Sequence, residues 1–329
     1  MGGGAHRPGL SSANVTITRS GAAPYIVVAG PTASGKSALA LAIAREFGGR
    51  IVNADSMQVY RELAILTSRP GRAELAAAPH RLYGVLPASE RCSAGRWREM
   101  AVAAMAEAPD KLAIVTGGTG FYLRALQTGL SPIPDIPPAA LRDGVARLVR
   151  VGSAKLHEEL SERDPETAGR LDPGDGQRIL RAWLVLEVTG RTLADWQREP
   201  PAAEHAPSLT FMVMPERRVL YAAIDGRFHR MVKQGAVDEA RAFLALGLDP
   251  SLPAMKAVGV RELGRMLEGK ATLEEAIAAA QQETRRYAKR QITWLRHQIG
   301  QAEVIGEQFS ERILPDIFAK IRRFLLTAS

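Results

Sequence analysis

Eight consecutive residues near the start of the chain have the types and spacing of a phosphate-binding loop. They fit the pattern G-x-x-x-x-G-K-[ST] and lie between an apolar run and an Ala- and Leu-rich segment. Glycines let backbone N–H groups approach an anion closely, and the dipole of a following helix favours negative charge. The pattern therefore predicts a diphosphate or triphosphate site, in which the lysine adds a positive charge and the last serine is a ligand for Mg²⁺. The eight residues are Gly30, Pro31, Thr32, Ala33, Ser34, Gly35, Lys36 and Ser37.

Two features of common nucleotide hydrolases and phosphoryl transferases are missing from the sequence. The N-K-x-D box with which guanine readers recognise their base does not occur. The apolar run Leu112–Val115 continues into Thr116-Gly117-Gly118 without the acidic residue that usually holds a metal ion at a strand end. These absences argue against an ordinary NTPase.

Asp55 is the next residue whose position suggests chemistry. It directly follows the apolar run Arg50–Ala54, which we expect to be a strand. In parallel sheets the carboxyl ends of strands face the ligand crevice, so Asp55 is a candidate general base or metal-shell carboxylate. The alternative is an N-cap for the segment that begins at Ser56. Position alone leaves both interpretations open.

Short apolar runs alternate with helical patterns along the chain, which predicts an α/β fold of the P-loop NTPase type. One helix should cover Lys36–Phe47 and end at Gly48-Gly49. The expected sheet is parallel, with helices on both faces. Its predicted strands are Tyr25–Ala29, Arg50–Ala54, Leu112–Val115, Leu209–Met214 and Glu303–Ile305.

Residues 138–205 contain helical patterns and no strand signal, between the proline-rich segments 132–138 and 200–207. This predicts a small helical domain inserted into a P-loop domain formed by residues 24–137 and 206–329. Residues 1–23 contain three consecutive glycines, two arginines and no acid, and lack the apolar core of a secretory signal. We expect them to form a disordered tail.

Composition narrows the class of protein. The chain has 329 residues, of which 46% are hydrophobic and 24% charged, as in a folded globular protein. No apolar run is long enough to cross a bilayer, and the single cysteine, Cys92, excludes a disulfide framework and a cysteine-based metal site. We expect a cytoplasmic protein without a membrane partner. The net charge is +8, with the excess in the segments that flank residues 138–205, which makes a polyanionic partner plausible.

One long helix is clearly marked in the last sixty residues. Thr272 and Glu275 form a capping box, and neither Gly nor Pro follows until Gly300. At about 100° per residue, five cations share one face of this helix and the apolar side chains share the other. A solvated basic face is the simpler interpretation, and contact with a phosphate backbone is the one we favour. The five cations are Arg285, Arg286, Lys289, Arg290 and Arg296.

Taken together, four motifs in order resemble the tRNA dimethylallyltransferases, also called tRNA isopentenyltransferases. They are Asp55–Tyr60, Ala78-Pro79-His80, Gly117-Gly118-Thr119 and Tyr287–Trp294. With the phosphate loop, the resemblance covers about residues 25–300. These enzymes transfer a dimethylallyl group from dimethylallyl diphosphate to the exocyclic N6 amine of the adenine just 3′ of the anticodon.

The resemblance implies a role for each candidate. The phosphate loop would hold the diphosphate as a leaving group, with Mg²⁺, Lys36 and Ser37 stabilising its growing charge. Asp55 would take the proton from the adenine amine, which is a poor nucleophile. Thr119 and Arg227 match family positions close to the reacting centre, and Arg227 would help to neutralise the diphosphate. Arg227 in its sequence context is equally compatible with a surface ion pair.

The resemblance also implies a tRNA partner, recognised at its anticodon stem-loop through an electropositive channel and stacking surfaces. We expect the enzyme to act as a monomer. Phosphate contact is further expected from Arg285, Lys289, Arg290 and Arg296 on the long helix. The positions that match tRNA-contacting segments of the family are Asp55, Ser56, Met57, Gln58, Thr119, Arg142, Gln177, Arg178, Ile179, Leu180, Arg181, Lys256, Ala257, Val258, Gly259, Val260 and Arg261.

The sequence departs from the family pattern at three places. Glu62–Thr67 replaces a common Gly-x-Asp-Ile-Gly-Thr stretch, Val260 replaces a usual aromatic residue, and Leu184 replaces a common glutamate. None of these touches the phosphate loop or Asp55, so we expect effects on the fit to tRNA rather than on chemistry. The alternatives are an adenylate isopentenyltransferase that modifies free AMP, ADP or ATP, a P-loop nucleotide kinase, and a non-catalytic RNA-binding module.

Overall fold

A computed structural model describes residues 23–201 and 206–328. Its sheet has six strands, all parallel, in the order β3-β2-β4-β1-β5-β6. The predicted tail falls almost wholly on residues 1–22, which lie outside the described residues. The strands are β1 Tyr25–Ala29, β2 Arg50–Asn53, β3 His80–Arg81, β4 Ala113–Gly117, β5 Ser208–Val213 and β6 Glu303–Ile305.

The described chain also forms thirteen α-helices, numbered in chain order. Within these residues, no helix has the length and apolar character needed to span a membrane. The helices are α1 Lys36–Phe47, α2 Arg72–Ala77, α3 Ala94–Ala106, α4 Gly120–Thr128, α5 Pro138–Arg163, α6 Pro165–Ala168, α7 Gly176–Thr189, α8 Leu193–Arg198, α9 Arg217–Lys233, α10 Ala236–Leu244, α11 Val260–Leu267, α12 Leu273–Gln298 and α13 Leu314–Thr327.

The described residues divide into two compact units. Residues 23–127 and 206–328 form the first, and residues 128–201 form the second. The first contains the whole sheet with α1–α3, most of α4 and α9–α13, and the second contains α5–α8 without a strand.

Strand β1 lies at the centre of the sheet, between β4 and β5. Its side chains alternate between two hydrophobic clusters, with Val27 in one and Ile26 and Val28 in the other. Helices α1 and α13 pack in the second cluster, and α3, α4, α11 and α12 pack in the first. The predicted parallel sheet with helices on both faces is therefore confirmed.

Local sequence signals correctly predicted the ends of several helices and strands. Helix α1 has the predicted bounds, since Gly48 adopts a left-handed φ of 60° that ends it. The capping box of Thr272 and Glu275 is present at the start of α12. Strand β4 begins and ends one or two residues later than predicted. Strand β3 was missed, because two residues are too few for an alternating pattern to show.

The second unit has a small hydrophobic core of its own. Leu156 and Leu160 of α5 pack against Ile179 and Leu184 of α7. Helix α5 is interrupted at Gly152, which has a φ of 79°. Leu184 is buried in this core. At this position, where the family commonly has a glutamate, the leucine therefore serves packing.

Candidate active site

The phosphate loop connects β1 to α1 with the backbone that the sequence predicts. Gly35 precedes the helix with a φ of 93°, a left-handed conformation that favours glycine. A Cβ on Gly30 would lie 2.7 Å from the Ser34 Oγ and 2.7 Å from the Val213 carbonyl oxygen. The first glycine is therefore required by close packing against β5, and the second by backbone geometry.

A single side chain from α12 fixes this loop to the neighbouring strand end. The Gln291 Oε1 accepts a hydrogen bond from the Thr32 N–H at 2.8 Å, and the Gln291 Nε2 donates to the Gly118 carbonyl at 2.9 Å. Gln291 is buried, so both bonds are shielded from water. The phosphate loop and the end of β4 are thereby held in one arrangement.

The glycines at the end of β4 and just after it allow close contact with two other parts of the unit. A Cβ on Gly117 would lie 2.1 Å from the Ala54 carbonyl oxygen, and one on Gly120 would lie 1.9 Å from the Trp294 ring. At Gly118 the obstacle would be the Gln291 Nε2, at 2.1 Å. The Gly-Gly-Thr-Gly sequence thus reflects packing against β2 and α12.

Asp55 lies directly after β2 with one carboxylate oxygen available. The Asn53 side chain accepts from the Asp55 N–H at 2.9 Å, and the Asp55 Oδ1 accepts from the Met57 N–H at 2.9 Å. The Oδ2 makes no hydrogen bond with the described residues. The capping alternative is realised for a turn only: the Oδ1 caps the turn at residues 56–59, and no helix follows until Arg72. This leaves Asp55 fixed in place with a free proton acceptor.

Thr119 holds the segment that carries Asp55. Its Oγ1 accepts from the Ser56 N–H at 2.9 Å and lies 3.2 Å from the Ser56 Oγ, and its own N–H donates to the Ala54 carbonyl at 3.2 Å. Thr119 therefore hydrogen-bonds to the residue before Asp55 and to the residue after it.

Two positively charged side chains, Lys36 and Arg227, interact electrostatically with Asp55. Burial lowers the pKa of Lys36 to about 8, an effect that the Asp55 carboxylate opposes and the Arg227 guanidinium reinforces. Burial likewise lowers the pKa of Arg227 to about 10, again opposed by Asp55. The Arg227 Nη2 donates to the Thr32 Oγ1 at 2.5 Å. Arg227 therefore lies at the phosphate loop and is not a surface ion pair.

These groups border a pocket that also has an apolar wall. Thr32, Asp55 and Arg227 contribute the polar part, and Tyr287 of α12 adds a hydroxyl. Burial raises the pKa of Tyr287, and the charge of Asp55 raises it further, so the phenol remains protonated. The apolar wall consists of Met57, Leu66, Ile224, Phe228, Met231, Ala257 and Val258.

The segment that carries Leu66 is held by a carboxylate from α10. Glu239 accepts three successive backbone N–H groups, from Ala64 at 2.7 Å, Ile65 at 2.8 Å and Leu66 at 2.8 Å. From the other side, the Gln58 Nε2 donates to the carbonyls of Thr67 at 2.8 Å and of Ser68 at 3.0 Å. The Gln58 amide nitrogen, expected to contact tRNA, is thus engaged within the chain.

The predicted tRNA segment at residues 256–261 is partly exposed and partly core. Lys256 is exposed, and Arg261 is 77% exposed beside Glu262. Ala257 and Val260 are buried, so their side chains support the segment, and Ala257 also lines the apolar wall of the pocket. Gly259 has a φ of 100°, and a Cβ there would lie 2.6 Å from the Leu66 side chain, so this turn packs on the apolar wall.

The basic face of α12 exists, although ion pairs within the chain occupy part of it. Arg285 pairs with Asp225, and Glu283 pairs with both Arg286 and Arg290. Lys289 and Arg296 are exposed and have no carboxylate partner among the described residues. Free positive charge is therefore concentrated at those two positions.

The candidate tRNA-contacting residues of the second unit are also divided between exposed and buried side chains. Arg142, Gln177, Arg178 and Arg181 are exposed, and Arg178 pairs with Asp175 at 3.2 Å. Ile179 and Leu180 are buried, so their side chains belong to the core of the unit.

The candidate Mg²⁺ ligand is a single hydroxyl. Ser37 is exposed in the first turn of α1, and its hydroxyl makes no hydrogen bond with the described residues. Within those residues, no three His, Cys, Asp or Glu side chains are grouped as a metal site. One hydroxyl beside an anion site fits Mg²⁺, which keeps waters and binds substrate phosphates instead of filling an all-protein cage.

Three residues that organise the site were not predicted from the sequence. Gln291 and Tyr287 belong to the Tyr287–Trp294 motif, but only the cations of α12 were singled out. A signal existed for Gln291, a polar residue at about 240° in the apolar arc of the helix. Glu239 gave none, because its partners lie more than 170 residues away.

Comparison with known proteins identifies the family. A family model described as IPP transferase matches residues 58–298. The chain belongs to this family. A second model, isopentenyl transferase, matches residues 24–89. The family predicted from the motifs is confirmed, and with it the assignment as a prenyltransferase.

Relatives of IPP transferase type match over most of their length. A tRNA dimethylallyltransferase from Paramagnetospirillum magneticum is 53% identical over 93% of this chain and 98% of its own. The structure of a tRNA isopentenylpyrophosphate transferase from Staphylococcus epidermidis is 28% identical, with a TM-score of 0.64 over 91% of this chain and 99% of its own. A eukaryotic dimethylallyltransferase acting on tRNA shares the fold, with a TM-score of 0.76 and 24% identity over 90% of this chain and 80% of its own.

Proposed function

We propose that this protein transfers the dimethylallyl group of dimethylallyl diphosphate to the N6 amine of the adenine just 3′ of the tRNA anticodon, releasing diphosphate. The observation that carries the proposal is the pocket in which Thr32 of the phosphate loop, Asp55, Arg227 and an apolar wall meet. Polar groups suited to a diphosphate and apolar groups suited to a prenyl chain lie side by side there.

The phosphate loop and its two cations would bind the leaving group. As the carbon–oxygen bond breaks, negative charge grows on the diphosphate, and fixed donors stabilise it without having to reorganise. Lys36 and Arg227 supply positive charge, and the first turn of α1 supplies N–H groups. Arg227 is held at this position by its hydrogen bond to Thr32.

The proposal includes Mg²⁺, because a serine hydroxyl and diphosphate oxygens are ligands that this ion prefers. Ser37 would hold the ion together with oxygens of the diphosphate, and the ion would supply further positive charge to the leaving group.

Asp55 acts on the acceptor. As the new carbon–nitrogen bond forms, the amine nitrogen becomes more acidic, and its proton passes to the Asp55 Oδ2, the oxygen without a partner in the described chain. The hydrogen bond from the Met57 N–H orients the carboxylate, and the Asp55 backbone N–H is fixed by donating to the Asn53 side chain. Asp55 itself is half-buried.

In this proposal, exposed residues of each unit contact tRNA. They are Lys256, Arg261, Lys289 and Arg296 in the first unit and Arg142, Gln177, Arg178 and Arg181 in the second. Phosphate contacts of this kind position an RNA without reading its sequence. The enzyme would act as a monomer in the cytoplasm on the anticodon stem-loop.

The family assignment favours tRNA as the acceptor over free AMP, ADP or ATP, and prenyl transfer over phosphoryl transfer. An acceptor test separates these functions directly. Labelled dimethylallyl diphosphate is incubated with tRNA or with AMP, and ATP consumption is followed in parallel. Prenylated adenosine in nucleosides from the treated tRNA supports the proposal, whereas label on AMP or rapid ATP hydrolysis without prenylated tRNA contradicts it.

Asp55→Ala tests the mechanism. Removal of the proton acceptor should lower kcat by at least about 10³-fold while diphosphate binding stays near that of the parent. Mass spectrometry of tRNA nucleosides measures turnover, and calorimetry with inorganic pyrophosphate measures binding. Asp110→Ala, at an exposed carboxylate between α3 and β4, is the matched control. Turnover equal to the parent would remove Asp55 from the mechanism.

A further inference from the structure

Phe121 differs from every other Phe, Tyr and Trp side chain in the described residues, because it alone is exposed. Its relative exposure is 51%, whereas the others are buried or half-buried. A single exposed apolar residue is ordinary on a protein surface. An exposed phenyl ring needs a reason when it lies beside a reacting centre.

The ring is attached within a short distance of the site. Phe121 is two residues after Thr119, so the two Cα atoms are at most about 7 Å apart. Thr119 bonds to Ser56 on one side of Asp55, and the adjacent Tyr122 is buried in the core. The first turn of α4 therefore has a fixed inner face, and Phe121 is on its outer face.

Three contacts hold this turn against α12. Gly118 meets Gln291, Gly120 meets Trp294, and Arg124 donates to the Gln298 Oε1 at 2.8 Å. Residues 291, 294 and 298 lie on one face of α12, so α4 follows that face for two turns. The backbone that carries Phe121 is thus held in place by α12, so binding through it requires little ordering of the main chain.

The charge beside this turn fits a polyanion. Arg124 is exposed three residues after Phe121 and on the same side of α4. An aromatic face beside a cation is a combination with which proteins bind unpaired bases of RNA.

We propose that Phe121 is a stacking platform for a base of the tRNA anticodon loop that neighbours the target adenine. This inference rests on the proposed function and adds to it the residue that supports the loop when the adenine leaves its stack. Extrusion of a base costs stacking energy, and a phenyl ring that covers a neighbouring base offsets part of that cost. Phe121 contacts the acceptor only and has no part in binding the donor.

Phe121→Ala should therefore raise the KM for tRNA about tenfold and leave the KM for dimethylallyl diphosphate unchanged, given about 1–3 kcal/mol for one base–aromatic stack. Phe121→Trp should restore the parent value because it keeps a π face, and Phe121→Leu should not. Leu75→Ala on α2 is the matched control, since Leu75 is 49% exposed. An unchanged tRNA KM in Phe121→Ala, or full rescue by Leu, overturns the proposal.

A binding measurement separates this inference from the proposed function. Anticodon stem-loops with 2-aminopurine at each loop position beside the target adenine are titrated with Asp55→Ala and with Asp55→Ala/Phe121→Ala, so no turnover intervenes. The proposal expects one labelled position to change its fluorescence between the two proteins. Identical spectra at every position overturn it, even if the parent enzyme prenylates tRNA normally.

Discussion

Two segments that follow parallel strands of the same sheet use their backbone N–H groups in opposite ways. In the phosphate loop after β1, Gln291 takes the N–H of Thr32, and the N–H groups of Ala33, Gly35 and Lys36 have no acceptor within the described residues. In the segment after β2, Glu239 takes three successive N–H groups with one carboxylate. The first segment is left open to an anion, and the second already contains one.

This difference shows how one kind of backbone geometry can serve binding or support. A cluster of N–H groups attracts negative charge in either case. The phosphate loop leaves that attraction for a substrate, with Lys36 beside it. The residue 64–66 segment uses the same attraction to fix Leu66 in the apolar wall of the pocket. Substitution of Lys36 should therefore affect catalysis more than folding stability, and substitution of Glu239 should affect folding stability more than catalysis.

The largest effect is expected from Lys36→Ala. Loss of the charge beside the open loop should lower kcat/KM for dimethylallyl diphosphate by about 10³-fold, as for other residues that stabilise a developing anion. The thermal midpoint should stay the same or rise, because the half-buried ammonium is removed from a site that penalises it. Steady-state kinetics and thermal unfolding measure the two effects.

Lys111→Ala, at an exposed lysine before β4, is the control for Lys36→Ala and should match the parent in both assays. A Lys36 variant that loses stability but keeps its kcat/KM would contradict the distinction between an open and a filled loop.

Glu239→Ala should reverse these proportions. Three N–H groups lose their acceptor, and hydrogen bonds to a charged group contribute about 1.5–3 kcal/mol each, so we expect a loss of about 3 kcal/mol after partial rehydration. Because Leu66 is then less firmly placed, the donor KM should rise about tenfold with a smaller change in kcat. Chemical unfolding and donor kinetics measure these effects.

Glu239→Gln keeps one acceptor oxygen and should fall between the parent and Glu239→Ala. Asp238→Ala, the exposed neighbour that pairs with Arg241, should cost less than about 0.5 kcal/mol. If Asp238→Ala were as damaging as Glu239→Ala, the effect would belong to helix α10 and not to the clamped segment.

The same contrast separates what the sequence predicts from what it leaves unseen. The phosphate loop, α1 and Asp55 are marked by local patterns, because a glycine turn, a cap and a strand end each act over a few residues. The clamp by Glu239 and the bridge by Gln291 join residues that are far apart in sequence. A local pattern can mark Gln291 as a polar residue in an apolar arc, but it cannot identify the partners of either residue, since the fold alone brings them together.

Charge on α12 gives a second example of the same limit. The helical angle placed five cations on one face, and the face is present. Glu283, one turn from Arg286, was close enough in sequence to be suspected as a partner. Asp225, which pairs with Arg285, lies on α9 some sixty residues earlier, so periodicity cannot reveal it. Pairing decides which of the cations remain free.

The smallest effect concerns pH and follows from the open loop alone. Lys36 has a pKa of about 8 in the folded protein against about 10.5 in an unfolded chain, so between these values the unfolded state binds more protons. The contribution of Lys36 to the free energy of unfolding should therefore rise as pH increases from about 8 to about 10.5. Donor kcat/KM should fall over the lower part of that range, by about fourfold between pH 7 and 8.5, because the uncharged amine no longer attracts the diphosphate.

Lys36→Arg distinguishes this cause from other titrating groups, because a guanidinium stays charged throughout the range. Its donor kcat/KM, measured across pH 7–9 relative to its own value at pH 7, should be flat where that of the parent declines. An equal decline in both proteins would assign the titration to another group. It would also show that the ammonium of Lys36 keeps its proton in spite of burial, because Asp55 stabilises it more strongly than the buried position penalises it.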